Sequence, residues 1–242
     1  MLTAQVLITT SGNVIPDEEG EFTSIYNGLP LRGGEKVSIK IPANSENNTD
    51  LEFTEENGRE LYVGSITNVI IEAEKEIFTL NLVSREAITN ETQRIGKKFP
   101  VTEKISDSVQ EIIKKYLLSD KTVDVDDTQN PYGFIGNMKK PFTIITWLAS
   151  KSVPGEVGGK SATAGYFFFE TKEGYHFRSV DSLIQQEPYQ IEYTYSPKIV
   201  DNQAADADFK ILKYETTRNQ NLIQNLERGA YCSYRMYYNP YS

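Results

Sequence analysis

Apolar and polar positions along this 242-residue chain change their period twice. Up to residue 84 they alternate, as they do in strands with one buried face. Val6–Thr10 reads as a short strand and Phe22–Tyr26 as a second, closed by Asn27-Gly28. Lys36–Pro42 sets Val37, Ile39 and Ile41 against Lys36, Ser38 and Lys40. Leu61–Glu72 and Ile77–Val83 are two longer strands joined by the turn Ala73–Glu76. In the latter, Phe78, Leu80 and Leu82 oppose Ile77, Thr79, Asn81 and Val83. This stretch predicts a small antiparallel barrel or sandwich.

The period then becomes helical. Ser84–Gly96 is polar and forms a short helix. Across Ile105–Leu118, Ile105, Val109, Ile112, Ile113, Tyr116 and Leu117 make one continuous helical face. Ser106 serves as its N-cap, Asp107 suits its positive start, and Lys114 and Lys115 suit its end. Val123–Val125 is a brief strand. Pro141–Val153 is a second helix, opened by proline, with Phe142, Ile145, Leu148 and Ala149 facing inward. Pro154–Gly159 ends it.

An aromatic hairpin follows. Tyr166–Phe169 is apolar without interruption, Thr171–Gly174 is a turn, and Tyr175–Val180 is the return strand. Tyr175 and Phe177 face one side, His176 and Arg178 the other. A first strand apolar on both faces is predicted to be central. Phe168 is then core, and its truncation to alanine should cost about 3–5 kcal/mol. Alternation returns at Tyr189–Tyr195. An acidic loop, Asp201–Asp208, precedes a strand-like Phe209–Tyr214, a short helix in Thr216–Leu226 and a last strand, Tyr231–Tyr238.

Composition narrows the classes. At 38% hydrophobic and 24% charged residues the chain is globular, and 15 tyrosines with 11 phenylalanines favour sheet. A formal net charge of −9 argues against a phosphate-binding surface, which needs clustered Lys and Arg. No apolar run reaches the ~18 residues of a membrane-spanning helix. The start, MLTAQVLITTSGNV, has neither the basic residues nor the long apolar core of a signal peptide. A single cysteine, Cys232, allows no internal disulfide and no cysteine-rich zinc site, as expected of a protein made in a reducing compartment.

Candidate chemistry is sparse. PGEVGGKS at 154–161 falls one residue short of a phosphate-binding loop, with Pro154 where glycine is needed, and it follows a helix instead of a strand. Asp124, Asp126 and Asp127 cluster, but Gln129 and Ile135 stand where a calcium loop needs glycine and glutamate, so a solvated acidic turn is expected. His176 and Cys232 each occur once, among aromatics, and are read as structural. His176, Ser179 and Asp181 could supply a triad, yet no nucleophile elbow is present. Arg178 and Asp181 could pair locally at little gain. No pair of acidic residues stands out for glycosidase-type chemistry. No catalytic, cofactor-binding or metal-ligating residue is therefore assigned.

Four ordered runs carry a resemblance: IGKKF (95–99), KISDSVQEIIKKYL (104–117), YGFIGNMKKPFTIITWLASKSV (132–153) and ATAGYFFFETKEGYHFRSVDSLI (162–184). Together they resemble the baseplate central hub protein of contractile-tailed, T-even-type bacteriophages. The resemblance implies an α+β fold: a tube-type antiparallel β-barrel over 1–96, an α/β domain with two helices and the aromatic hairpin over 97–184, and the start of a second β-barrel over 185–242. Members of that family are longer, so the second barrel is expected to be incomplete. The resemblance further implies a non-enzymatic virion protein of the tail baseplate, made in the host cytoplasm. Its partners would be two further copies in a homotrimer, the trimeric central spike, the tail tube and other baseplate proteins. DNA would pass through the lumen without specific binding, and no membrane insertion is implied. The acidic balance suits a channel wall that repels DNA. A β-rich hydrolase using carboxylates, or a spike or hub component of a type VI-like injection system, are the alternative readings.

Overall fold

The computed structural model describes residues 1–16, 20–29, 31–43, 49–72, 74–157, 160–161, 165–188, 193–195, 210–211, 213–217 and 220–229. In chain order the first elements are β1 (Thr3–Thr10), β2 (Ile15–Pro16), β3 (Phe22–Thr23), α1 (Ile25–Gly28), β4 (Lys36–Val37), β5 (Ile39–Ile41), β6 (Leu51–Phe53), β7 (Leu61–Glu72) and β8 (Lys75–Ser84). Next come α2 (Arg85–Thr92), β9 (Lys98–Phe99), α3 (Ile105–Lys115), β10 (Thr122–Val125), β11 (Phe134–Ile135) and α4 (Pro141–Ala149). The rest are β12 (Glu156–Val157), β13 (Lys160–Ser161), β14 (Tyr166–Glu170), β15 (Gly174–Ser179), α5 (Val180–Ile184), β16 (Thr194–Tyr195), β17 (Lys210–Ile211) and α6 (Leu222–Glu227). Met1–Glu187 form one compact unit and Pro188–Ser242 a second.

The longest alternating segment, 61–84, makes the long β7–β8 hairpin. The first sheet forms around it, antiparallel, in the order β1-β8-β7-β4. Leu61, Val63, Phe78, Leu80 and Leu82 are buried on its inner face. Ala4, Val6 and Ile8 of β1 pack beside them, and Ile25, Tyr26, Ile39 and Phe53 cover them. β7 shifts register twice, between Val63 and Ser65 and between Thr67 and Ile70, which bends it.

Two sequence expectations fail in this half. Phe22–Tyr26 is not one strand: it turns into α1 after Thr23. Ser24 accepts from the Asn27 N–H (3.2 Å), and the buried Glu76 carboxylate accepts from Ile25 and Tyr26 N–H (2.9 and 2.8 Å). Caps from a distant strand nucleate this turn against an alternating pattern. Lys36–Pro42 is not one strand either. β4 joins β7, whereas β5 pairs with β6 in a separate two-stranded sheet.

The second core lies among α3, α4 and the aromatic hairpin. Ile105, Val109, Ile112, Ile113 and Leu117 meet Ile144, Ile145 and Leu148, and together they cover Tyr166, Tyr175 and Phe177. Lys104, not Ser106, holds the N-cap position of α3. Ser106 is buried, and its N–H donates to Thr128 Oγ1 (3.0 Å), so a side chain distant in sequence satisfies the helix start. α4 ends at Ala149, where Lys151 N–H and Ser152 Oγ both return to the Leu148 carbonyl.

The hairpin's sheet has the order β10-β15-β14, with β10 parallel to β15. The predicted central strand is therefore at the edge, and its partner β15 is central. Phe167 is 57% exposed and Phe169 stacks on His176, so among the described residues no layer covers the second apolar face of β14. Phe168 is half-buried, its ring 5.6 Å from both Phe142 and Tyr175. Only glycine fits at 174: with φ +155°, a Cβ there would stand 2.0 Å from the Thr122 carbonyl oxygen.

In the second unit β16 pairs in parallel with β17, and Tyr195 meets Tyr214 edge-on. α6 starts later than the pattern predicts because Asn221 Oδ1 accepts from Gln224 N–H (3.1 Å) and sets the cap there. The predicted strand Tyr231–Tyr238, the acidic loop Asp201–Asp208 and Cys232 lie outside the described residues.

Phe177→Ala should lower stability by about 3–5 kcal/mol. Phe168→Ala should cost only about 1–2 kcal/mol, because its ring is only partly withdrawn from water. Urea denaturation monitored by circular dichroism compares the two, and equal losses would put Phe168 in the core after all.

Candidate functional site

The residues that carried candidate chemistry gather around the hairpin. His176 Nδ1 lies 3.3 Å from Asp124 Oδ2, and its Nε2 lies 2.8 Å from Thr171 Oγ1. The order acid, imidazole, hydroxyl has the layout of a proton relay. Here it fastens a turn: Thr171 Oγ1 accepts from the Glu173 N–H (3.2 Å), and the Thr171 N–H donates to the Gly174 carbonyl (2.8 Å). Ser179 is on the opposite face of the strand from His176, where its hydroxyl accepts from Ser182 N–H (3.1 Å) and caps α5.

Asp124 and Asp127 are exposed, as a solvated turn requires, yet all three aspartates are engaged. Arg178 faces Asp124 (3.7 Å) and Asp126 (3.5 Å), and Asp126 also accepts from Ser179 N–H (2.8 Å). Asp127 accepts from Lys104 (2.7 Å) and Ser106 (3.2 Å); the Lys104 hydrogen bond above all holds its carboxyl below the usual range. Within 154–161, β12 and β13 pair with each other as antiparallel strands, which is not the strand-to-helix turn of a phosphate loop.

The strongest electrostatic feature is buried. Lys121 Nζ lies 2.7 Å from Glu86 Oε2 and 2.8 Å from Glu170 Oε1, and the side chains are 11%, 4% and 0% exposed. Glu86 also accepts from Ser119 Oγ (2.7 Å). Glu170 accepts from Ser84 Oγ (2.8 Å) and from the Leu2 N–H (2.7 Å). One ammonium thus joins α2, the segment before β10 and β14, and through Glu170 reaches the ends of β1 and β8. Burial alone would raise the Glu86 carboxyl, but the hydrogen bonds from Lys121 and Ser119 hold it below its ordinary value. Burial opposes the charge on Lys121 too, yet the bonds to Glu170 and Glu86 leave its pKa raised. Tyr175, whose ring lies 5.8 Å from the ammonium, has its hydroxyl pKa pushed up by burial first and then by the two carboxylates. None of the three charged members stood out in the sequence. The one available signal was Glu170, which occupies an inward position in register with Tyr166 and Phe168.

A second, uncharged feature is the outer face of the first sheet. Thr3, Gln5, Leu7 and Thr9 of β1 stand opposite Val83, Asn81, Thr79 and Ile77 of β8, and Tyr62, Ser65, Thr67 and Ile70 of β7 continue the rows. No charged side chain occurs among these positions, in a chain that is 24% charged. Gln5 Nε2 donates to Asn81 Oδ1 (3.0 Å), and Asn81 Nδ2 donates to Ser65 Oγ and Thr67 Oγ1 (both 3.1 Å), an amide–hydroxyl ladder across three strands. Lys36 at one edge and Glu72 and Lys75 at the hairpin tip bound the patch. The sheet is open: among the described residues nothing pairs with the outer edge of β1, and β4 with the Gly34–Glu35 backbone covers β7 only from Leu61 to Val63.

No family model and no curated protein matches this chain. Among solved structures it is similar to the 43 kDa tail protein of prophage MuSo2 from Shewanella oneidensis, at 9% identity and a TM-score of 0.44, over 72% of this chain and 44% of that one. It is also similar to an Escherichia coli component of the type VI secretion system that exhibits structural similarity to the bacteriophage T4 tail proteins gp27 and gp5. There the identity is 9% and the TM-score 0.41, over 72% of this chain and 41% of the other. The chain spans less than half the length of either structure.

Lys121→Met leaves two carboxylates buried without their cation and should cost about 3–5 kcal/mol. Adding Glu86→Gln and Glu170→Gln should recover much of that loss, and failure to do so would show that packing of the lysine stem, not charge, holds the site. The pH dependence has a definite sign. The Glu86 pKa is lower in the folded chain than the ordinary 4.5, so its contribution is complete above pH 4.5 and fades as pH falls through the folded value. Lys121, raised above 10.5, contributes below pH 10.5 and loses its effect as pH climbs past its folded value. Melting temperatures of wild type and Glu86→Gln should therefore converge on the acid side of pH 4.5.

Proposed function

We propose that this chain is a structural subunit of the baseplate hub of a contractile tail, assembling as a homotrimer around a channel. The observation that carries the proposal is the open first sheet. Its outer face is uncharged, and among the described residues both of its edges leave backbone groups unpaired, at β1 and along β7 beyond Val63. Unpaired edges are a liability in an isolated sheet, and closure into a ring of sheets removes it. A wall in which threonine, asparagine, glutamine and serine alternate with uncharged Leu7, Tyr62, Ile70, Ile77 and Val83 offers phosphates no cation, so DNA slides past it without adhering. Under this proposal the lining would be uncharged, where the composition suggested an acidic wall.

Under this proposal residues 1–96 form the first tube-like β-unit, 97–184 the α/β part that sets its orientation, and 185–242 the beginning of a second β-unit. One face of the ring meets the tail tube and the other the central spike, in the virion's tail baseplate. The ordered runs between residues 95 and 184 that resemble the hub family support the same reading. The most deeply buried carboxylates count against a carboxylate hydrolase: Glu76 caps α1, and Glu86 and Glu170 share one lysine.

Light scattering on the purified chain should give three times the 27.4 kDa monomer mass, and negative-stain averages should show a ring with a central hole. A monomer persisting at roughly 50 μM, where a stable oligomer would be populated, would overturn the trimeric hub.

A further inference from the structure

We infer that the free edge of β14 is a strand-addition site, which takes one extended, uncharged segment of a partner protein as the fourth strand of the hairpin's sheet. The backbone directions come first. Val180 N–H donates to the Gly165 carbonyl (3.0 Å), and Thr171 N–H donates to the Gly174 carbonyl (2.8 Å). Antiparallel pairing alternates, so Phe167 and Phe169 turn their amides and carbonyls towards β15. Tyr166, Phe168 and Glu170 turn theirs outward, and among the described residues no strand pairs there. Natural edges are blunted by lysine, proline, a bulge or an inward-pointing charge; YFFFE has only the last, Glu170 at its end, which Lys121 neutralises, and it pairs in unbroken register with β15.

The surroundings define the side chains of the occupant. A groove of about 320 Å³ runs along this edge, lined by Thr146, Ala149, Ser150, Gly165 and the two faces of 166–168. It adjoins a second, of about 500 Å³, lined by Phe142, Thr143, Thr146 and Trp147. Among the described residues neither is lined by a charged side chain, and α4 itself, PFTIITWLA, has none. An occupying strand would therefore lose the hydration of any charge it placed there, so apolar side chains at alternate positions are selected. A second copy of β14 does not meet this requirement. Its own inward side chains at Tyr166 and Glu170 are 7% and 8% exposed, already held in its core, and cannot also fill the groove. The occupant brings side chains of its own over about five residues, the length of the edge. The site does not depend on the channel: it would stand if the trimer failed, and its failure would leave the trimer intact.

The test uses the whole chain and a capped peptide of about seven residues that alternates threonine and valine. Backbone hydrogen exchange is followed by NMR. Without peptide, the Tyr166, Phe168 and Glu170 amides should exchange fast while those of Phe167 and Phe169 are slow. Millimolar peptide should slow the outward three by about tenfold or more. The same peptide N-methylated at the residues that face β14 should leave them fast. Phe167→Lys, at an exposed position, should keep the melting temperature and abolish the protection. Unchanged exchange with peptide would overturn the proposal. So would equal protection by the methylated peptide, or protection that rises with protein concentration alone, which would make the occupant a second copy.

Discussion

Everything in residues 1–187 depends on how one ammonium is shared by two carboxylates. Lys121 neutralises Glu86 and Glu170 where almost no water reaches them, and each carboxylate spends its remaining capacity on a different element. A buried ion pair adds little net stability over an apolar substitute, because desolvation consumes most of the Coulomb energy. Its value here is in position. The start of β1, the end of β8, the start of α2 and the end of β14 can converge only in the arrangement that satisfies all the polar atoms at once. The two hydrophobic clusters, one under the first sheet and one under α3 and α4, have few means of fixing their mutual orientation by apolar contact, which is not directional. The ion cluster supplies that direction.

The same contrast governs the surfaces. The outer face of the first sheet satisfies its polar groups internally, through Gln5, Asn81, Ser65 and Thr67, and so is indifferent to charge. The outer face of the hairpin's sheet is ordered by directional polar contacts: Arg178 pairs with Asp124 and Asp126, and His176 hydrogen-bonds to Asp124, which ties β10 to β15. The charged cross-strand contacts span β10 and β15 and leave β14 with aromatic groups at its edge. One sheet thus offers an uncharged face, and the other an aromatic edge strand that no strand pairs with among the described residues.

Much of the local structure was legible in order along the chain. The alternation of 77–83, the helical face from Ile105 to Leu117 and the turn before Gly174 are short-range patterns, set by the geometry of strand and helix and by which side chains avoid water. The failures came where a distant group won over the pattern: Glu76 capping α1, Thr128 meeting the start of α3, and β6 drawing Ile39–Ile41 away from β4. The ion cluster was illegible for the same reason. Glu86 and Lys121 sit in polar stretches that look like surface, and only folding brings them to 2.7 Å.

What the sequence by itself determined was the α+β composition, the positions of the long hairpin, the two helices and the aromatic pair, and the lack of an evident catalytic motif. Tertiary structure decided which strand is central. β14 has the more apolar sequence, yet β15 is inside, because β10 approaches it across the glycine at 174, where no Cβ blocks the Thr122 carbonyl. Hydrophobicity records how much a segment gains by leaving water; strand order follows from which backbone can be approached, and that is a property of the assembled chain.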